Sequence, residues 1–436
     1  MRLRNFLEID FPLIFSAIIL SIFGILFIYS SGVTSARVLV STEYIRQIIW
    51  SAGGIIAALV IAMIDYRRLY DLSVYLYFGA LLLLVYTCLF GRLVNGARAW
   101  IGVGAFGIQP SEFAKITTII FLARHLDGSK RNSNNFFRFV ISCLIVFAPM
   151  AVILLQPDFG TSLVFIPILL AMTFIAGISL RYVFFLCACI ASTSIFIALP
   201  LWQSYIMRQA IPSLNILASI EFVGIAVLAL CTIAGIALFG FLRYRKRYFY
   251  WISYSAAIVI LSLGVSFAAR KALKDYQIMR LIVFLDPNVD PRGSGWNIIQ
   301  SITAIGSGGF TGKGYLQGTQ SHYRFLPQQS TDFIFSIFSE EWGLLGGLLV
   351  FVLFLIICLR LVRIMKSTSD PFGSFIAVGL AAMYAFHFLI NVGMTMGIMP
   401  ITGIPLLFMS YGGSALTSAM TGIGLAQSIY TRRFQH

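Results

Sequence analysis

Charged side chains are scarce in this chain: 11% of its 436 residues are Asp, Glu, Lys or Arg, whereas 59% are hydrophobic. With a mean hydropathy of +0.90, it lacks the polar surface of a soluble globular domain, and that class is excluded. Acidic residues are the rarer sign, 16 against 31 basic ones. The six cysteines, Cys88, Cys143, Cys187, Cys189, Cys231 and Cys358, lie in apolar stretches without metal-ligand spacing. They read as packing residues and are silent on redox compartment. A nucleotide-binding phosphate loop is also missing. In "AIGSGGFTGKG" (304–314), Ser307 and Gly314 break the G-x-x-x-x-G-K-[ST] pattern, leaving a Gly-rich turn whose free N–H groups suit phosphate.

What the chain has in quantity is long apolar runs. A spanning helix needs about 20 such residues, and twelve stretches qualify, centred about residues 20, 55, 80, 118, 146, 168, 191, 230, 259, 350, 383 and 418. The first runs from "MRLRNFLEID" to "FIYSSG" with no small-residue cleavage site, so it reads as a retained helix. The net charge of +15 has a topological pattern. With the N-terminus inside, 18 of the 31 lysines and arginines fall on inner segments, among them Arg2, Arg4, Arg67, Arg68, Lys130, Arg131, Arg181, Arg243, Arg245, Lys246 and Arg247. That follows the positive-inside rule, puts both termini in the cytoplasm, and explains the basic excess without nucleic acid.

The expected fold is therefore an all-α polytopic membrane protein, one integral domain over residues 1–436. Its outer segments are 91–110, the large loop 270–331, and 396–414. Residues 203–270, around the basic turn "LRYRKRY", read as an inserted helical hairpin. No internal repeat of the kind found in many secondary transporters is visible.

Ionisable groups inside spans are costly and mark candidate sites. "QPSEFAKI" (109–116) opens a helix with Pro110 and Ser111 and sets Glu112 and Lys115 three apart on one face. Two readings stay open: a self-neutralising pair with Lys115 snorkelling outward, or a cation held beside an anionic substrate. Asp158, in "QPDFGTS", reads first as a helix cap complementing the dipole. Asp332 also starts a span and alone reads as a cap, whereas Glu340 and Glu341 lie two to three turns deeper. No histidine is near these three in sequence, so spacing offers no triad or zinc site. The expected outer cations, among them Arg98, Lys115, Lys274 and Lys313, suit a lipid-linked diphosphate.

Six motifs carry a resemblance: "NGARAWI" (95–101), "QPSEFAKI", "QPDFGTSLVF" (156–165), "DPRGSGWNIIQSITAIGSGGFTGKGYLQGTQ" (290–320), "FLPQQSTDFIFSIFSEEWG" (325–343) and "NVGMTMGIMPITGIPLLFMSYGGSA" (391–415). In this order they resemble the SEDS (shape, elongation, division and sporulation) family of bacterial membrane proteins, on the elongation side. The resemblance implies ten core spans, so the hairpin makes about twelve. It implies a peptidoglycan glycosyltransferase that polymerises lipid II at the outer face of the cytoplasmic membrane during elongation and rod-shape maintenance. Its partners would be a class B penicillin-binding protein and other elongation-complex proteins. It carries the essential loop aspartate onto Asp332, the loop tryptophan onto Trp100, and the buried pair onto Glu112 and Lys115; Arg98, Asp158 and Ser410 also match motif positions.

Two motifs depart from the family. Where it reads P-E-x-H-T-D-F, this chain has Pro327-Gln328-Gln329-Ser330-Thr331-Asp332-Phe333, without the acid and the histidine. Where it reads P-L-P, this chain has Pro405-Leu406-Leu407. The implied chemistry is one inverting displacement with Asp332 as base and Lys115 and Arg98 facing the leaving diphosphate. No cofactor is required by the sequence, and a divalent cation (Mg or Mn) at Asp332 stays open. So do two alternatives: a lipid II flippase or transporter, and a scaffold for the elongation complex.

Overall fold

The computed structural model describes residues 9–94, 97–103, 106–129, 134–207, 219–272 and 275–434. Arg2, Arg4, Lys130, Arg131, Lys274, residues 95–96 of the first motif and residues 208–218 of the expected hairpin lie outside them. Helices α1 (Phe11–Ser31), α2 (Glu43–Met63) and α3 (Arg68–Phe90) lead into strands β1 (Arg92–Val94), β2 (Ala97–Val103) and β3 (Phe106–Ile108). Then come α4 (Pro110–Gly128), α5 (Asn135–Leu155), α6 (Phe159–Leu163), α7 (Phe165–Ile175) and α8 (Leu180–Trp202). After these come α9 (Ile220–Tyr244), α10 (Arg247–Ala272), α11 (Asp275–Leu285), α12 (Ser294–Gly308) and α13 (Thr319–His322). The last three are α14 (Ile334–Ser367), α15 (Pro371–Thr395) and α16 (Gly413–Thr431).

Helices occupy all twelve expected span positions. Among the described residues, nine are long and apolar enough to cross a membrane by themselves. Those outside that group are α4, α16 and the broken pair α6–α7. The physical reason lies in the packing. Ile119, Leu122, Ala123 and Leu126 of α4 and Ala426 and Ile429 of α16 are fully buried. A helix enclosed by protein gains nothing from greasy side chains and can carry polar ones that find partners. By contrast, α2 and α3 expose Ile56, Leu59, Leu82 and Phe90, as lipid-facing helices do.

The all-α expectation holds for the bundle, with one addition. The strands form a three-stranded antiparallel sheet ordered β1-β2-β3, with Arg92 opposite Trp100 and Ile101 opposite Ile108.

The chain forms two compact units, Met1–Ile178 with Gln300–His436, and Ser179–Ile299. In the first, α16 lies along α2, α14 along α15 and α3 along α4. Gly424 lets α16 approach the backbone of Ala58 on α2, the small-residue contact that membrane helices use. Aromatic rings join α1 to α14: Phe27 and Phe338 have centroids 4.5 Å apart, and Phe23 and Trp342 5.1 Å. Such pairs contribute about 0.5–1.5 kcal/mol each. Helix α14 bends at Gly343, whose φ of 64° and ψ of −160° are non-helical. Only glycine fits there, because a Cβ would also strike the backbone of Phe310 at 2.7 Å. In the second unit, α8 packs with the α9–α10 hairpin: Ser262 Oγ donates to Cys189 O at 3.2 Å and Tyr254 Oη to Arg181 O at 2.7 Å.

Candidate active site

Asp332 stands two residues before α14. The N-cap position is taken by Phe333, one residue on, so the helix does not place Asp332 as its cap residue. Its half-buried side chain lies against Gly403, where a Cβ would sit 3.7 Å from Asp332 Oδ2. The backbone around it is pinned: Asp332 N donates to Gln328 O at 3.1 Å, and Asn391 Nδ2 donates to Asp332 O at 3.0 Å. Tyr411 N donates to Ser330 O at 2.8 Å, which ties the 325–343 motif to the 391–415 motif.

The segment 402–412 is irregular yet largely buried, with Ile404, Leu406, Phe408 and Met409 at 0–1% exposure and Gly403 exposed beside Asp332. Non-helical backbone survives at such a place only if its polar groups find protein partners. Asn391 Nδ2 donates to Ile404 O (2.8 Å) and Ser410 Oγ accepts from Leu406 N (2.8 Å). Gln47 Nε2 donates to Ser410 O at 3.1 Å. His387 Nδ1 lies 3.1 Å from Pro405 O, and His387 Nε2 lies 2.9 Å from Lys115 Nζ. Since a carbonyl only accepts and an ammonium only donates, His387 is neutral here, donating from Nδ1 and accepting at Nε2.

Lys115 completes the arrangement with Glu112, at 2.9 Å from Oε1 and 2.8 Å from Oε2. The outward-snorkelling alternative is not what the structure has, since Lys115 is 1% exposed and Glu112 2%. The cluster is net neutral, the condition under which buried charges persist. Glu112, Lys115 and His387 thus hold Pro405 O, while Asn391 ties the neighbouring Ile404 O to the backbone O of Asp332. Sequence reasoning missed His387. The signal was there, as one of only four histidines and set in an apolar span, but its partner is far away in the chain.

Glu340 and Glu341 do separate work. Both are fully buried. Glu340 Oε1 accepts from Lys313 Nζ (2.8 Å), Thr319 N (2.8 Å) and Gln320 N (3.0 Å). Glu341 accepts from Ser30 Oγ and from Leu316 N (3.1 Å), and His322 Nε2 is 3.8 Å away. The two carboxylates therefore bolt residues 313–322 onto α14. The Gly-rich turn offers less to phosphate than its sequence suggests, because Lys313 N and Gly314 N donate to Glu340 O and Glu341 O. Tyr315 Oη donates to Leu26 O at 2.9 Å, and burial raises its pKa to about 12, so it stays a donor.

Asp158 is a cap: it precedes α6 and accepts from Thr161 N (3.2 Å) and Thr161 Oγ1 (2.7 Å). It also holds Gln109 Nε2 at 2.8 Å, while Gln109 N donates to Ser414 Oγ at 2.9 Å. Behind it, Gly160 abuts Thr402 O, at the edge of the buried segment. Arg98 is exposed and Trp100 half-buried on β2, where the register against β1 is irregular: Leu93 faces Arg98 and Arg92 faces Trp100. Among the described residues, no three His, Cys, Asp or Glu side chains gather as a metal-holding group. That donor set does not fit a divalent ion held by protein ligands alone.

Fold and site define a polytopic helical membrane protein with a half-buried aspartate just before α14, its backbone pinned to a segment that also contacts the buried, net-neutral cluster of Glu112, Lys115 and His387. The chain belongs to the FtsW, RodA and SpoVE family of cell cycle proteins, whose model matches residues 11–215 and 208–435. It is 49% identical over 433 residues to peptidoglycan glycosyltransferase RodA of Treponema pallidum, covering 99% of this chain and 100% of that one. It is 32% identical over 393 residues to peptidoglycan glycosyltransferase MrdB of Escherichia coli K12, covering 89% and 85%. Among solved structures, a chain from work on coordinated polymerization and crosslinking by a peptidoglycan synthase complex superposes with a TM-score of 0.69 at 25% identity, covering 98% and 99%. The rod shape determining protein RodA of Thermus thermophilus gives a TM-score of 0.62 at 23% identity, covering 99% and 100%, and shares the fold.

Proposed function

We propose that this chain is a peptidoglycan glycosyltransferase that polymerises lipid II into glycan strands during cell elongation. It works at the outer face of the bacterial cytoplasmic membrane, with both termini inside, a reading that the basic inner turns support. The observation that carries this reading is Asp332, half-buried against Gly403 with its backbone held by Asn391. The names of the relatives from Treponema pallidum and Escherichia coli support it.

In the proposed reaction Asp332 takes the proton of the acceptor sugar 4-hydroxyl, and the oxygen attacks the anomeric carbon from the face opposite the lipid diphosphate. The bond to the diphosphate breaks, the diphosphate leaves with the electron pair, and an α link becomes a β link. Partial desolvation of a carboxylate strengthens it as a base, and such a base contributes about 10²–10⁴-fold. Exposed Arg98 supplies a cation for the leaving group and Trp100 a ring on the same strand, while Lys313, paired with Glu340, holds the loop. Glu112, Lys115, Asp158 and Ser410 act by holding the segments that frame Asp332.

The partner is a class B penicillin-binding protein, joined by other proteins of the elongation complex. The superposed chain from a peptidoglycan synthase complex supports a transpeptidase at its side. The test gives the purified chain and its partner lipid II that already faces the protein. The parent makes glycan strands, and Asp332→Asn loses about 10²–10⁴-fold while still binding the partner. A flippase would make no strands, a scaffold would be indifferent to the substitution, and parental activity in Asp332→Asn would overturn the base assignment.

A further inference from the structure

We infer that the tip of the α9–α10 hairpin, together with the first turn of α8, is a binding site for the headgroups of anionic phospholipids. The inference is independent of the catalytic reading and uses only the unit Ser179–Ile299.

The tip reads "RYRKRYFYW" (243–251): four cations, five aromatic residues and no acid. Every residue from Arg243 to Tyr248 is exposed. Arg245 adopts the left-handed conformation, with φ of 51°, at the C-cap of α9. Glycine is the strain-free residue there, yet the chain places a cation. A fifth cation comes from α8: the Arg181 guanidinium carbon lies 5.9 Å from the centroid of the Tyr250 ring, and the Tyr254 hydroxyl holds Arg181 O at 2.7 Å. Among the described residues, no carboxylate pairs with any of the five.

Five like charges on one small surface repel one another unless a counter-anion joins them. Topology alone does not demand so many, since the turn after α2 makes do with Arg67 and Arg68. The rings decide which anion. Tyr244, Tyr248 and Trp251 are 63%, 57% and 53% exposed at the ends of two apolar helices. Such rings sit at headgroup level, which places the cations among lipid phosphates. An acidic protein segment would have no use for this girdle. Clusters of four to eight Lys and Arg directly beside a membrane helix bind anionic lipid in the same way. Phosphatidylglycerol and cardiolipin fit, and zwitterionic phosphatidylcholine does not.

The test reconstitutes the full chain in nanodiscs of phosphatidylcholine containing a minor share of phosphatidylglycerol or cardiolipin, and measures the lipid retained after detergent extraction by native mass spectrometry. The parent retains anionic lipid above its share in the disc. Replacing Arg243, Arg245, Lys246 and Arg247 by Gln together removes that enrichment, with affinity falling about fivefold for each charge lost. A variant with Lys for the three arginines keeps it, which separates charge from folding. Retention of lipid at the share present in the disc, or equal enrichment in the Gln variant, would overturn the proposal. Millimolar inorganic phosphate at constant ionic strength leaves the enrichment intact if the occupant is lipid. Displacement by phosphate would assign the site to free phosphate and overturn it as well.

Discussion

Lys115 and His387 are separated by 272 positions in the chain, yet Lys115 Nζ lies 2.9 Å from His387 Nε2. This contact links α4, which carries the buried ion pair, to α15, which carries Asn391 and so reaches Asp332. Its consequences are measurable.

Breaking the buried pair leaves a lone charge in a nonpolar interior. Lys115→Met or Glu112→Gln alone should lower stability by about 3–5 kcal/mol. The double variant should recover a large part of that loss, because neither charge remains. Thermal unfolding of all four proteins in one detergent checks this, and a double variant worse than both singles would refute it.

His387→Ala removes the bridge between Lys115 and Pro405 O while leaving every candidate substrate contact in place. Polymerisation should fall in kcat by about tenfold to a hundredfold, the scale of a displaced site, with KM nearly unchanged. His387→Gln offers one donor and one acceptor and should restore part of the rate. A change confined to KM would mean that His387 meets substrate.

At Asn391 one amide serves two carbonyls. Asn391→Ala leaves Asp332 O and Ile404 O without this donor and should cost about 1–3 kcal/mol. Asn391→Asp sets a carboxylate against both carbonyls and should be worse than Ala. The ranking of melting temperatures decides it.

Glu340→Gln keeps the shape and removes the charge that gathers Lys313, Thr319 and Gln320. Hydrogen exchange should accelerate across residues 313–322 and stay unchanged in α4 and α16. Unchanged exchange in 313–322 would show that Glu341 alone holds the loop.

Much of this architecture is visible in the sequence, for a physical reason: bilayer thickness fixes the length of an apolar run, so all twelve helix positions are readable. The helices that barely register, α4 and α16, are the ones packed inside. The sheet escapes notice because strands of three to seven residues are too short to show a clear alternating pattern. Glu112 and Lys115 announce each other by being three apart. His387 does not, because its partner and its acceptor sit on other segments, and local spacing carries no information about that meeting. Asp332 looks like a helix start until Phe333 is seen to hold the N-cap position. The departures before it, at Gln328 and Ser330, change side chains, whereas the anchoring runs through backbone atoms, Gln328 O to Asp332 N and Ser330 O to Tyr411 N, and through the distant Asn391.

The bend at Gly343 divides α14 into two lengths with different duties. The 24 residues after it rise about 36 Å at 1.5 Å per residue, already enough for a hydrocarbon core of about 30 Å. The nine residues before it, about 13 Å, are therefore spare with respect to crossing the membrane. A straight helix of 34 residues would push Asp332 well beyond the lipid. The bend keeps Asp332 from standing at the end of one straight rod, so under the proposed reaction a glycine that never touches the substrate helps set the level at which its reacting group is met.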